Sequence, residues 1–301
     1  MTKEDIISAY KGVLNREPSE YEIVYNIEKY KDFKDMFLDV VSSAEKEAQV
    51  IQTSTKQTPC IVLGKPGGIK LYADLNDQYI GLPALKGTYE LSELQFCLTH
   101  LNEGDVILDI GANIGVFTLN MAKALKDGLV IAVEPLYENY NLLIKSIKSN
   151  NLNNVILVKC AVGEVEGKVS FTNHTYNNSG DAHVSFEGDI DTFEVDMFTL
   201  DYLTPLNVNF IKIDVEGAEL LVMRGATRIL ENKPVILSEI YPKNLQAISK
   251  VTAKEYIDYM AQKQYDCYVL TAWGTLGRRL LDYKGTVPIN VIFWPKEREG
   301  E

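Results

Sequence analysis

Basic residues are in deficit: 30 Lys and Arg stand against 42 Asp and Glu, for a formal net charge of −12. Such a surface repels phosphate backbones and anionic lipid, so nucleic acid and membrane are poor default partners. No apolar run approaches the roughly 18 residues of a membrane span. The opening MTKEDIISAY has acids where a secretory signal needs a basic head and a continuous apolar stretch. The four cysteines, Cys60, Cys97, Cys160 and Cys267, show neither CxxC nor His-paired spacing. Cys160 and Cys267 lie inside apolar runs and read as reduced core thiols. A soluble, cytoplasmic chain is expected. What is present is ordinary globular composition, 301 residues with 46% hydrophobic and 24% charged, long enough for a sizeable core and roughly two domains of ~150 residues.

Residues 1–51 carry apolar positions at helical spacing, from Ile6, Tyr10 and Val13 to Phe33, Phe37 and Val41, with a break at Pro18. A helical N-terminal module is expected there. Over a short span its YKGVLNREPSEYEI resembles the small helical modules that echo phycobilisome-linker repeats, which implies a docking role toward a protein partner. The polar stretch 52–59 reads as a linker, and residues 60–301 as one further domain. CIVLGKPGGIKLYADL reads as a hairpin around a Gly/Pro turn, and GTYELSELQFCLTHL, from Gly87, as a helix. Thereafter buried apolar runs at 106–110, 129–134, 155–162, 207–214 and 234–239 alternate with helical stretches at 114–125, 137–150 and 216–231. A longer non-helical insert spans 163–206, and two last runs lie at 267–272 and 287–294. This alternation predicts an α/β fold with a doubly wound, mostly parallel sheet.

The most informative segment is VILDIGANIGVFTLNMAKAL, residues 106–125: strand, glycine-bearing turn, helix. Glycines at such a turn let backbone approach a ligand, and the helix N-terminus offers unpaired N–H groups. A dinucleotide fingerprint needs G-x-G-x-x-G; here Asn113 stands between Gly111 and Gly115, and no further glycine receives a pyrophosphate. The strand instead ends in a carboxylate, Asp109, suited to a cationic amino group. Glu134 ends the next strand, about 20 residues on, where an acid accepts ribose hydroxyls. The pair points to nucleoside binding.

Gly87–Glu90, DIGANIG (109–115), Val133-Glu134-Pro135, Ala161-Val162-Gly163, Leu200-Asp201, KIDVEGAE (212–219), Gly225-Ala226 and Ser238-Glu239 follow one another in an order that resembles the FkbM family of S-adenosylmethionine-dependent methyltransferases. The resemblance implies a class I methyltransferase (Rossmann-like) fold, a seven-stranded mostly parallel sheet with one antiparallel strand, closed by the two last runs. It also implies S-adenosylmethionine as cofactor, held by Glu90, Asp109, Gly111, Ala112, Asn113, Gly115, Glu134, Pro135, Ala161 and Val162. Related enzymes often present an acid to the adenine amino group near Cys160, and this chain has none there, leaving backbone or the Asn178–Asp181 loop to serve.

Ligands sit at the carboxyl ends of strands in such sheets, so Asp214, Glu216 and Glu239 are expected near the transferred methyl group. Lys212 alternates with Asp214 and is expected to pair with it, while Glu216 reads as a first-turn helix acid. Asp214, Glu239 and His183 are the candidate bases for a hydroxyl acceptor; His174 shares the insert with His183. No metal is assigned, although three carboxylates at strand ends also suit a divalent cation. The expected activity is O-methylation of a sugar or small-metabolite acceptor. The rival reading is a nucleoside-binding assembly module, docked through its helical N-terminus, without turnover.

Overall fold

A computed structural model describes residues 59–172, 178–180, 182–185 and 192–296. The expected helical module, nearly all of the linker, and His174 and Asp181 lie outside the described residues. No described helix is long and apolar enough to cross a membrane. The described residues divide into two compact units, 59–89 with 178–180, and 90–172 with 182–185 and 192–296.

In the smaller unit β1 (Ile61–Gly64) and β2 (Leu71–Asp74) form the expected antiparallel hairpin. A helix at Gly81–Lys86 follows, ended by Gly87 in the left-handed conformation. Gly87 is therefore a stop signal and not the start of the next helix, which begins at Leu91 and runs to Thr99.

The larger unit is built on an eight-stranded sheet. Its members are β3 (Val106–Ile110), β4 (Leu129–Val133), β5 (Val155–Val158), β9 (Phe210–Ile213), β10 (Val235–Ile240), β11 (Tyr265–Leu270), β12 (Leu276–Arg279) and β13 (Ile289–Pro295). Their order is β12-β11-β13-β10-β9-β3-β4-β5. Neighbours from β10 to β5 are parallel, whereas β13 runs antiparallel to both β10 and β11. This is the class I methyltransferase arrangement, extended by one edge strand, β12, that pairs antiparallel with β11. The central strands are covered on both faces, which is why they read as continuous apolar runs. Leu108, Ile131, Ile211 and Ile236 belong to one core cluster with Val222, Tyr256 and Met260.

Three departures have local causes. The run 155–162 divides into β5 and β6 (Ala161–Val162), and β6 leaves the main sheet to pair with β8 (Thr192–Phe198). With β7 (Gly167–Thr172) these make a three-stranded sheet out of the expected insert. The helix expected at 216–231 is two, Glu219–Arg224 and Thr227–Glu231, interrupted at Gly225, where a Cβ would lie 2.2 Å from the Gly163 carbonyl oxygen. A helix at Ala253–Gln262 was not expected; Thr252 and Glu255 form a capping box at its start, and Ala253, Tyr256, Ile257 and Met260 fall at helical spacing on its buried face, two signals that marked it.

The order of strands reverses at β3: the chain proceeds through β4 and β5 on one side, then returns to β9 and β10 on the other. The crevice at such a switch point opens at the carboxyl ends of β3 and β9. A tight approach holds it: a Cβ at Gly111 (φ +79°) would stand 1.9 Å from the Asp214 carbonyl oxygen. Gly111→Ala should therefore cost about 3 kcal/mol or more, read by urea denaturation. Gly67→Ala, left-handed but with nothing within 4 Å, should cost only about 1–2 kcal/mol. Equal losses would show that strain alone, and not the strand contact, explains the glycine.

Candidate functional site

β3 ends at Ile110 and the chain turns at once. Gly111 and Ala112 both donate their N–H groups to the Val133 carbonyl at 3.0 Å, and Gly115 N–H donates to the Ala112 carbonyl at 2.9 Å. Asn113 N–H donates to Glu134 Oε2 at 2.8 Å and Ile114 N–H to Asn113 Oδ1 at 2.7 Å. Every amide from 111 to 115 is thus satisfied within the protein. The loop reaches this pattern through left-handed Gly111, Asn113 (φ +49°) and Gly115 (φ +95°). A Cβ on Gly115 would meet Leu143 at 2.2 Å. Both glycines are required by packing against protein, a reason their spacing alone does not reveal.

Asp109 is completely buried. Its Oδ2 accepts from the Thr118 hydroxyl at 2.5 Å, while Oδ1 has no hydrogen-bond partner among the described residues. Burial raises its pKa; Lys212 and Thr118 oppose the rise. Lys212 stands beside Asp109 in the β3–β9 register. Its ammonium lies 3.3 Å from Asp214 Oδ2 and 4.9 Å from the centre of the Phe117 ring. Burial pulls the lysine pKa down, but Asp214, Asp109 and Glu90 more than offset it, so the buried ammonium stays charged.

Glu134 is also buried. One carboxylate oxygen accepts from Asn113 N–H and the other from Leu136 N–H at 2.9 Å, so the side chain ties the glycine loop to the entry of the helix Tyr137–Ser149. Pro135 follows it, partly buried. Burial pushes the Glu134 pKa to about 7, against those hydrogen bonds and that of Asn139.

Glu239, near the end of β10, has its pKa pushed to about 10, by burial first and then by Asp214, Glu216, Glu219 and Glu90. The structure thus brings together the acids after β9, the end of β10, and Glu90 at the start of the helix Leu91–Thr99. Glu216 is not a first-turn helix acid: it sits left-handed (φ +54°) ahead of the helix, and its Oε2 accepts from Asn244 Nδ2 at 2.9 Å. The first-turn acid is Glu219, whose Oε1 accepts from the N–H groups of Val215 and Gly217, both at 3.1 Å. Glu219 is buried, its Oε2 has no partner among the described residues, and burial raises its pKa to about 7. Sequence reasoning passed over it, although an acid two residues beyond a glycine turn was the available signal. Among the described residues no group of three or more His, Cys, Asp or Glu is placed to hold a metal ion.

Ala161 and Val162 are buried in β6, a short step beyond the end of β5. His183 lies elsewhere: it exchanges backbone and side-chain hydrogen bonds with Thr172 of β7, in the small sheet. Asn178–Gly180 belong to the smaller unit, where the Ser179 hydroxyl donates to Asp77 at 2.6 Å.

The family model of the methyltransferase FkbM domain matches residues 109–267, more than half of the chain. A hexuronic acid methyltransferase, AglP, of Haloferax volcanii is 28% identical over 154 residues, 50% of this chain and 62% of that protein. A tRNA(Phe) (4-demethylwyosine(37)-C(7)) aminocarboxypropyltransferase of Methanocaldococcus jannaschii is 43% identical over 67 residues, 22% of this chain and 27% of that protein. The chain thus spans less than two thirds of the length of these curated relatives. A crystal structure of an FkbM methyltransferase from Methylobacillus flagellatus KT aligns at 16% identity and a TM-score of 0.45, covering 95% of this chain and 58% of that one.

The raised carboxyl groups set a pH dependence. In the folded chain Glu134 and Glu219 keep their protons to about 7 and Glu239 to about 10, whereas the unfolded chain releases them near 4.5. Raising the pH through that window therefore favours the unfolded state. The melting temperature should fall by roughly 5 °C or more between pH 5 and pH 8, and Glu134→Gln should make the slope shallower. A scan in which the melting temperature rises over that range contradicts the assignment.

Proposed function

The chain belongs to the FkbM methyltransferase family, and from that premise we propose that it transfers the methyl group of S-adenosylmethionine to a hydroxyl of a sugar or small metabolite. One observation carries the choice of donor. Asp109 Oδ1 is a buried oxygen without a partner among the described residues, beside a loop whose amides are all committed internally. Phosphate needs donors, and this loop has none to give. A cationic ammonium or sulfonium group needs an acceptor, and Asp109 supplies one.

The residues present fit such a donor, which when bound supplies an electrophilic methyl carbon on sulfur. Asp109 accepts the donor's ammonium group. Asn113, Leu136 and Asn139 take three of the roughly four acceptor sites of the Glu134 carboxylate, which leaves one for a ribose hydroxyl. Gly111, Ala112, Asn113 and Gly115 form the wall between them, with Glu90 on the acidic side of the crevice and Pro135 closing the end of β4. Ala161 and Val162 flank the adenine from the next strand end.

Methyl transfer relies mainly on holding nucleophile, carbon and sulfur in line, and a base helps when the acceptor is a hydroxyl. Of Asp214, Glu239 and His183, Asp214 serves best. It stands at the switch point, held by Lys212. Glu239 is protonated at neutral pH and so donates a hydrogen bond to orient the acceptor. His183 is engaged with Thr172. The sugar class is supported by the name of the Haloferax volcanii relative.

Calorimetry with the purified full chain tests the donor. S-adenosylmethionine should bind, NAD should give no heat, and Asp109→Asn should weaken donor binding ~10- to 100-fold, the loss of one charged hydrogen bond, measured at a temperature where the variant is still folded, since the loss of a Lys212 partner lowers its unfolding transition. NAD binding, or no donor binding, sinks the reading. Because one relative is named an aminocarboxypropyltransferase, donor labelled in the methyl group and donor labelled in its amino acid portion are compared. Only methyl label should reach an acceptor.

A further inference from the structure

Trp273 is the most exposed large hydrophobic residue among those described, 85% accessible. It does not sit on a loose loop. Thr271 N–H donates to the Thr275 carbonyl and Gly274 N–H to the Thr271 carbonyl, both at 3.0 Å, and the two threonine hydroxyls lie 2.8 Å apart. The Thr271 hydroxyl also accepts from Trp273 N–H and Thr275 N–H. Gly274, left-handed at φ +68°, packs so closely on the helix Leu91–Thr99 that a Cβ would stand 2.6 Å from the Ser92 carbonyl oxygen. An indole presented to solvent on a turn pinned this firmly contributes nothing to the core.

Its place in the sheet gives it a use. β11 and β10 both run antiparallel to β13, so they run parallel to each other, and the turn that follows Leu270 emerges at the same end of the sheet as Asp109, Asp214 and Glu239. Two strand spacings separate β11 from β10, about 10 Å. A chain of contacts connects the turn to the acids. Ser92, under Gly274, donates to Glu93 Oε2 at 2.8 Å; Glu93 Oε1 accepts from Asn290 Nδ2 at 2.7 Å; Asn290 is the register partner of Glu239. Leu91, 56% exposed, adjoins Ser92.

We infer that Trp273 is a stacking platform for the acceptor: a pyranose ring lies with its C–H face on the indole while the hydroxyl to be methylated, on that ring or its neighbour, reaches Asp214 and Glu239. An aromatic plane with a polar edge suits a ring that is apolar on its faces and hydroxylated on its rim. The inference rests on the sugar-acceptor reading above and assigns it a subsite.

The test uses tryptophan fluorescence of the full chain, since Trp273 and Trp294 are the two indoles in the sequence. Glucose, glucuronic acid, cellobiose and a hyaluronan disaccharide are titrated into wild type and Trp273→Phe. At least one sugar should give a saturable blue shift or quench in wild type that vanishes in Trp273→Phe. In methyl transfer to that sugar, Trp273→Ala should raise KM about tenfold or more while kcat stays within threefold and donor affinity within twofold; Trp273→Phe should raise it less. No response to any of the four, a response that persists in Trp273→Phe, or an unchanged KM in Trp273→Ala overturns the platform. Wild-type methyl transfer to the four sugars, with donor calorimetry beside it, reports separately on the parent reading: donor binding without transfer to any sugar fails the sugar-acceptor reading, whereas transfer whose KM Trp273→Ala leaves unchanged fails the platform alone.

Discussion

Lys212 is the constraint around which the switch point is organised. Its ammonium is buried between Asp109 on the neighbouring strand and Asp214 on its own, with Glu90 acting on it from the start of a helix. A buried charge is tolerable only when paired, and removing one partner leaves the other uncompensated at a cost of several kcal/mol. One cation therefore keeps several carboxyl groups close together at the carboxyl ends of two strands. The electron-rich face of the Phe117 ring, 4.9 Å from the ammonium to its centre, also favours the charged form.

That balance is incomplete. Glu239, Glu134 and Glu219 all hold their protons to higher pH than a free carboxyl, because burial first and neighbouring acids after it outweigh the hydrogen bonds that Glu134 and Glu219 accept. The crevice is thus poor in positive charge and rich in acceptors, the inverse of a phosphate site at a helix N-terminus. The glycine loop reinforces the inversion. In a dinucleotide site the turn spends its glycines on approach to pyrophosphate. In this chain they are spent on approach to Asp214 and Leu143, and the amides are turned inward to Val133 and Glu134. Glu134 is a brace for the loop as well as the proposed ribose acceptor, so its truncation disturbs fold and binding together, and Asp109, a partner of the buried Lys212, carries the same double load.

In the proposed arrangement the donor lies at the switch point and the acceptor at the closing strands, β13, β11 and the added β12, which carry the turn with Trp273. The two proposed sites share only the acids at the strand ends, so the second is free to vary while the first is kept.

The sequence by itself determined the class of the fold and the position of the glycine loop. Continuous apolar runs alternating with helical periodicity require a two-sided parallel sheet, and DIGANIG followed by Glu134 marks where its first crossover turns. It did not determine where runs divide or what the glycines face. The stretch 155–162 reads as one strand because hydrophobicity is blind to which sheet a residue joins, and no local pattern shows that position 225 must be glycine because the Gly163 carbonyl is its neighbour in space. Only tertiary structure decided that Glu216 faces Asn244, that His183 belongs to the small sheet, and that Trp273 stands at the carboxyl end of the parallel strands. Each depends on partners or strands well separated along the chain, and local pattern carries no record of such distances.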